Sequence, residues 1–152
     1  MKINKLFFTA AFVFFTTNAF CQTSTTSSTY HGADAKLKSY KALFILDDSD
    51  PKKMEMILHN IENSLDDPRL KGKLQVELIA FGPGVKLYLK TSHMDTMLLP
   101  LVKRGVIFAE CENTMKMAKL TPDQLWPFVS YVPSGNGEII IRESQGWVGI
   151  HP

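Results

Sequence analysis

One thiol and its neighbours define the chemistry this sequence offers. Cys111 lies within Gly105-Val106-Ile107-Phe108-Ala109-Glu110-Cys111-Glu112-Asn113-Thr114-Met115. Val106, Ile107 and Phe108 are successive apolar residues and predict a buried strand that ends at the thiol. Asn113 and Thr114 then open a helical run through Met115, Met117, Ala118 and Leu120. A strand end just before a helix start is where open α/β sheets place their ligands. The positive helix end favours thiolate, the nucleophilic form of cysteine. Glu110 and Glu112 oppose this, because nearby negative charge raises a thiol pKa. Alternation along a strand lets both carboxylates face away from the sulfur. The competing reading is a small buried core residue, a common use of free cysteine.

Other chemistry has little support. His31, His59, His93 and His151 read as solvated surface residues, and no Ser/His/Asp or His-x-x-Glu-His spacing occurs. Copper(I) binding through the seven methionines, His59, His93 and Cys111 is a third option. Met54 and Met56 lie two apart on a helix and point in different directions, and Met94 and Met97 belong to an apolar stripe. Gap-filling in the core is the commoner use of methionine, so no metal site and no cofactor is assigned. Phe81-Gly82-Pro83-Gly84 permits a tight turn with close backbone approach, yet matches neither the dinucleotide fingerprint nor the P-loop.

The elements that hold Cys111 follow a leader. Lys2 and Lys5 precede an apolar run from Leu6 to Phe15, and Thr16 to Gln22 contains Ala19 three residues before a cut after Cys21. This is the layout of a secretory signal peptide over residues 1–21, and the run is about half the ~20 residues a spanning helix needs. Lipidation of Cys21 is the alternative, opposed by bulky Phe20. Two of the 17 basic residues lie in the leader, which leaves 15 against 15 acidic residues. No basic patch for nucleic acid survives that balance. With Cys21 removed, Cys111 is the only thiol of a periplasmic or secreted protein, and no intramolecular disulfide can form.

Residues 22–40 contain the apolar-free tract Thr23 to Thr29 and read as a flexible spacer. Residues 41–152 make one domain by size. Ala42 to Leu46 is a continuous apolar run, read as a strand covered on both faces. Asp50-Pro51 caps a helix carrying Met54, Ile57, Leu58, Ile61 and Leu65, which Asp67-Pro68 ends. In Leu74 to Phe81, Gln75 and Glu77 alternate with apolar residues, so the strand is expected to start exposed and finish buried. Met94 to Val102 predicts a helix with Pro100 as a kink and Gly105 as its stop. Thr121-Pro122 begins a short helical turn, and Val129 to Val132 and Trp147 to Ile150 are short strands. For Gly137 to Gln145, Asn136-Gly137 suits a hairpin and Ser134 or Asn136 suits a helix cap, so the local signals leave both open. Alternating strands and helices predict a three-layer α/β/α sandwich with a mainly parallel sheet of about five strands.

Three segments together resemble the DsrE/DsrF-like proteins: Phe81-Gly82-Pro83-Gly84-Val85, Gly105-Val106 with Ala109 through Met115, and Val132-Pro133-Ser134-Gly135. The similarity spans roughly Ala42 to Pro152 and is closest to the exported branch. It implies a small α/β domain with a parallel sheet, assembled as a homotrimer or homohexamer, and favours a helix for Gly137 to Gln145. It also implies that Cys111 carries sulfur as a persulfide. An exported protein would use a small sulfur-containing donor or acceptor outside the cytoplasmic relay. The other reading keeps the fold but makes the protein a non-enzymatic oligomeric binder. Its ligand would sit in a crevice of Gly82, Pro83, Gly84, Asn113, Thr114, Ser134 and Gly135, with Cys111 structural.

Overall fold

The computed structural model describes residues 31–152, so the leader and the Ser/Thr tract lie outside the described residues. The architecture is that of Asp34–Pro152. In chain order it comprises β1 (Tyr40–Leu46), α1 (Pro51–Asp66), β2 (Leu74–Ala80), a 3-10 stretch (Gly82–Tyr88), α2 (Asp95–Lys103), β3 (Ile107–Cys111), α3 (Glu112–Ala118), β4 (Ser130–Val132), α4 (Gly135–Ser144) and β5 (Val148–Ile150). The five strands form one parallel sheet in the order β4-β3-β2-β1-β5. This is the three-layer sandwich expected from the sequence.

Connection handedness explains the layers. The chain steps from β1 to β2, β3 and β4 in one direction, and right-handed crossovers place α1, α2 and α3 on the same face. The return from β4 to β5 runs the other way and places α4 on the opposite face. The main core joins Phe44, Leu78 and Phe108 of the sheet to Ile57 and Ile61 of α1, Leu98 of α2 and Met115 of α3. The second core is small: Leu43, Ile79, Ala109 and Trp147 are buried, with Ile139 of α4 packed against them. Each fully buried Leu or Ile is worth about 1.5–3 kcal/mol. The main face therefore holds most of the apolar stabilisation, and α4 is the more lightly attached helix.

Local chemistry sets the helix ends. The Asp50 side chain accepts from the Lys52 amide at 3.0 Å, with Pro51 at the first helical position of α1. Ser134 Oγ accepts from the Gly137 amide at 3.3 Å, which makes Gly135–Ser144 a helix and excludes the hairpin.

Several expectations change. Ile107 is 41 % exposed, because the second face of β3 is incompletely covered. Glu77 is 1 % exposed rather than on a wet strand face, because α4 lies over it and supplies an arginine. Trp147 is buried, and Trp126 and Phe128 pack against the main core with their rings stacked. They do not form an exposed apolar surface near the C-terminus. Ile140, Ile141 and Val148 are the exposed large apolar residues there. No described helix is long and apolar enough to cross a membrane.

Candidate functional site

Cys111 is the last residue of β3 and the N-cap of α3, and its register partner is Val132 of β4. From these adjacent strands the chain leaves in opposite directions, β3 into α3 on the main face and β4 into α4 on the second. Doubly wound sheets bind ligands at the carboxyl ends of the strands where neighbouring connections diverge in this way. Cys111 lies at that point.

Cys111 is 5 % exposed, and its sulfur lies within reach of two helix starts. Burial is the largest single influence on the thiol and pushes its pKa up. The Thr114 amide, the Gly135 amide, the Thr114 hydroxyl and the Asn113 amide all donate toward the sulfur and outweigh burial, so the thiol titrates below its ordinary value. These donors stabilise thiolate without a neighbouring positive charge.

The sequence-predicted site residues divide by role. Asn113, Thr114 and Gly135 reach Cys111 directly, Asn113 through its backbone while the residue itself is exposed. Gly82 joins them through Thr114, whose Oγ1 accepts the Gly82 amide at 2.7 Å. Gly82 adopts φ +53°, a conformation that suits glycine. Gly84 packs on the Leu46 carbonyl so closely that a Cβ there would overlap the oxygen. Gly135 also has little room, since a Cβ would come within 2.9 Å of the Phe81 ring. Ser134 caps α4 and so acts at one remove, and Pro83 is exposed on the loop.

The two flanking glutamates differ. Glu110 faces the main core, opposite to Cys111, and is wholly buried. Burial pushes its carboxyl up to about 8; the Cys111 amide opposes this and the charge of Cys111 adds to it. Neither of its oxygens is aligned with a hydrogen-bond donor. At neutral pH it is mostly uncharged, which removes most of its opposition to a thiolate. Glu112 is exposed at the start of α3.

Sequence reasoning missed a second charged group. Glu77 of β2 meets Arg142 of α4 at 2.6 Å, and Arg142 meets Glu138 at 2.8 Å. The available signal was a lone acidic residue inside the apolar run Val76–Ala80, which demands a partner when buried. No group of three or more His, Cys, Asp or Glu that could hold a metal occurs among the described residues. Met54 is buried and Met56 exposed, so those two methionines do not converge.

No family model matches the chain, and no curated protein matches it. Among solved structures, the chain is similar to MTH1491 from Methanobacterium thermoautotrophicum, described as a protein of unknown function. The two share 29% sequence identity with a TM-score of 0.71, over 75% of this chain and 100% of that one.

Proposed function

We propose that this is an exported DsrE-like protein that carries sulfur as a persulfide on Cys111, or transfers it in the manner of a sulfurtransferase. The observation that carries this reading is the convergence of the Thr114, Gly135 and Asn113 amides with the Thr114 hydroxyl on one thiol, against the upward pull of burial. A core cysteine needs none of these donors. The segments that resemble DsrE/DsrF-like proteins supply these loops, which supports the family reading.

The chemistry balances without an external oxidant. Cys111 thiolate attacks the outer sulfur of a small sulfane donor, such as a persulfide. The donor's S–S bond breaks, its inner sulfur leaves with the electron pair, and a new S–S bond forms on Cys111. An acceptor thiolate then takes the outer sulfur and regenerates the Cys111 thiolate. The backbone donors that stabilise the thiolate also suit it as a leaving group.

The second reading, a non-enzymatic oligomeric binder of a small ligand in the same crevice, is favoured by the low exposure of Cys111. Thiol alkylation rate against pH, followed by persulfide-selective labelling after exposure to a sulfane donor, separates the two. Wild-type protein is expected to alkylate in its folded state and to gain one sulfur, and Cys111→Ser to gain none while keeping fold and assembly. Alkylation only after denaturation, with no sulfur uptake, would establish the binder.

A further inference from the structure

We propose that Arg142 is a positioning residue for the thiol: by joining Glu138 of α4 to Glu77 of β2, it holds the Gly135 amide on Cys111 Sγ. This deepens the reading of Cys111 as the functional thiol and rests on it.

The attachment of α4 is what makes an arginine necessary. Of its ten residues only Gly135 is buried, and Ile140 and Ile141 point to solvent. Ile139 alone joins the second core from this helix. Charge supplies the rest. Arg142 Nη2 lies 2.6 Å from Glu77 Oε2, Arg142 Nε lies 2.8 Å from Glu138 Oε1, and the guanidinium sits 4.6 Å from the centre of the Trp147 ring. Neither the Glu77 oxygens nor Arg142 Nε is aligned as a linear hydrogen bond, so the tie is mainly ionic. At the same, C-terminal end of the helix, Lys41 Nζ lies 3.4 Å from the Gln145 carbonyl.

Glu77 sits between its register partners Leu43 and Ile107, in the middle of the sheet. It is a fixed point for the helix above. Arg142 is seven residues beyond Gly135, about 10 Å along a helix that moves as a unit. Losing the tie lets α4 slide or tilt on its small apolar contact, and the Gly135 N–H then leaves the sulfur. The two other amides near Cys111 belong to α3 and stay in place.

The test is the pH midpoint of Cys111 alkylation in the folded protein, with the thermal midpoint measured alongside. Arg142→Lys keeps the positive charge, but a single ammonium cannot span both carboxylates and also sit over Trp147. Removing the arginine outright strands buried charge, so Glu77→Gln with Arg142→Met serves as a second, charge-balanced variant. Ile57→Val on α1 is the control for general destabilisation. The expected result is a higher alkylation midpoint in both α4 variants, seen at neutral pH as a severalfold slower rate, with the midpoint unchanged in Ile57→Val. An unchanged midpoint in whichever of the two α4 variants folds would overturn the proposal. The readout is independent of sulfur uptake. A shifted midpoint in a protein that never takes up sulfur keeps the positioning role and removes the carrier, and an unshifted midpoint with normal uptake does the reverse.

Discussion

The Gly82 amide donates to Thr114 Oγ1 at 2.7 Å, and the same hydroxyl gives its own proton to Cys111 Sγ. A hydroxyl has one proton. Because its oxygen is occupied by the Gly82 amide, that proton is directed at the sulfur. The loop after β2 thus helps set the charge state of a residue at the end of β3.

Thr114→Val should therefore weaken the thiolate without emptying the site. A hydrogen bond worth ~1 kcal/mol corresponds to about a fivefold change in the thiolate fraction. Alkylation near neutral pH should slow by about that factor, and Thr114→Ser should restore it. A Val variant that alkylates at the wild-type rate would mean the hydroxyl does not act on the sulfur.

Gly84 tests the loop itself. A Cβ there runs into the Leu46 carbonyl, a backbone atom that cannot rotate away. Gly84→Ala should lower stability by about 1–3 kcal/mol, the usual cost of forcing an overpacked site. Urea unfolding measures it. The same substitution at exposed Gly72, where no atom lies within 4 Å of the added Cβ, meets no such clash, although its φ of +75° still strains the backbone. Gly72→Ala is accordingly the milder of the pair.

Much of this arrangement was legible in the sequence where it depended on near neighbours. The apolar run before Cys111 and the helical run opened by Asn113 and Thr114 mark a strand end and helix start, and that is where the thiol lies, with Cys111 itself as the N-cap. Gly82 and Gly135 were visible only as members of glycine motifs; which atoms they approach depends on strand order. The Gly137–Gln145 ambiguity was real at short range, because Asn-Gly favours a hairpin as readily as Ser134 favours a helix. The return crossover from β4 to β5 decides it. Glu77 and Arg142 were not legible as a pair, since 65 positions separate them and only the sheet brings them together. Ile107 reads as buried from its apolar neighbours because the sequence does not reveal how thinly α4 covers its face.

Export predicts a defined N-terminus. If the leader is removed after Cys21, the mature chain isolated from outside the cytoplasm begins at Gln22. Intact mass reads this directly, and retained Met1 or a lipid-sized mass on Cys21 would overturn it.

Self-association is the next expectation, implied by the resemblance to DsrE/DsrF-like proteins. Sedimentation at micromolar concentration should show a trimer or hexamer. Monomer alone under those conditions would count against that assembly. Trp126 and Phe128 pack against the main core and Trp147 is buried in the second.

The last prediction concerns Glu110. Its carboxyl has an ordinary value of 4.5 and is pushed up to about 8 by burial in the fold. The folded state therefore holds a proton that the unfolded state has already released between those two values. Stability is then complete below about pH 4.5 and is lost as pH rises toward 8, the opposite of a salt-bridged carboxylate. A displacement of this size corresponds to roughly 4–5 kcal/mol. Glu110→Gln removes the titration while keeping the shape, and its cost as a buried amide does not vary with pH. The difference in unfolding free energy between wild type and Glu110→Gln should change by several kcal/mol between pH 4 and pH 9, in favour of the variant at high pH. Histidines and other groups common to both proteins cancel in that difference. A flat difference would show that Glu110 ionises in the folded protein as easily as in the unfolded chain. It would then carry a full charge next to Cys111, and the case for an easily formed thiolate would weaken with it.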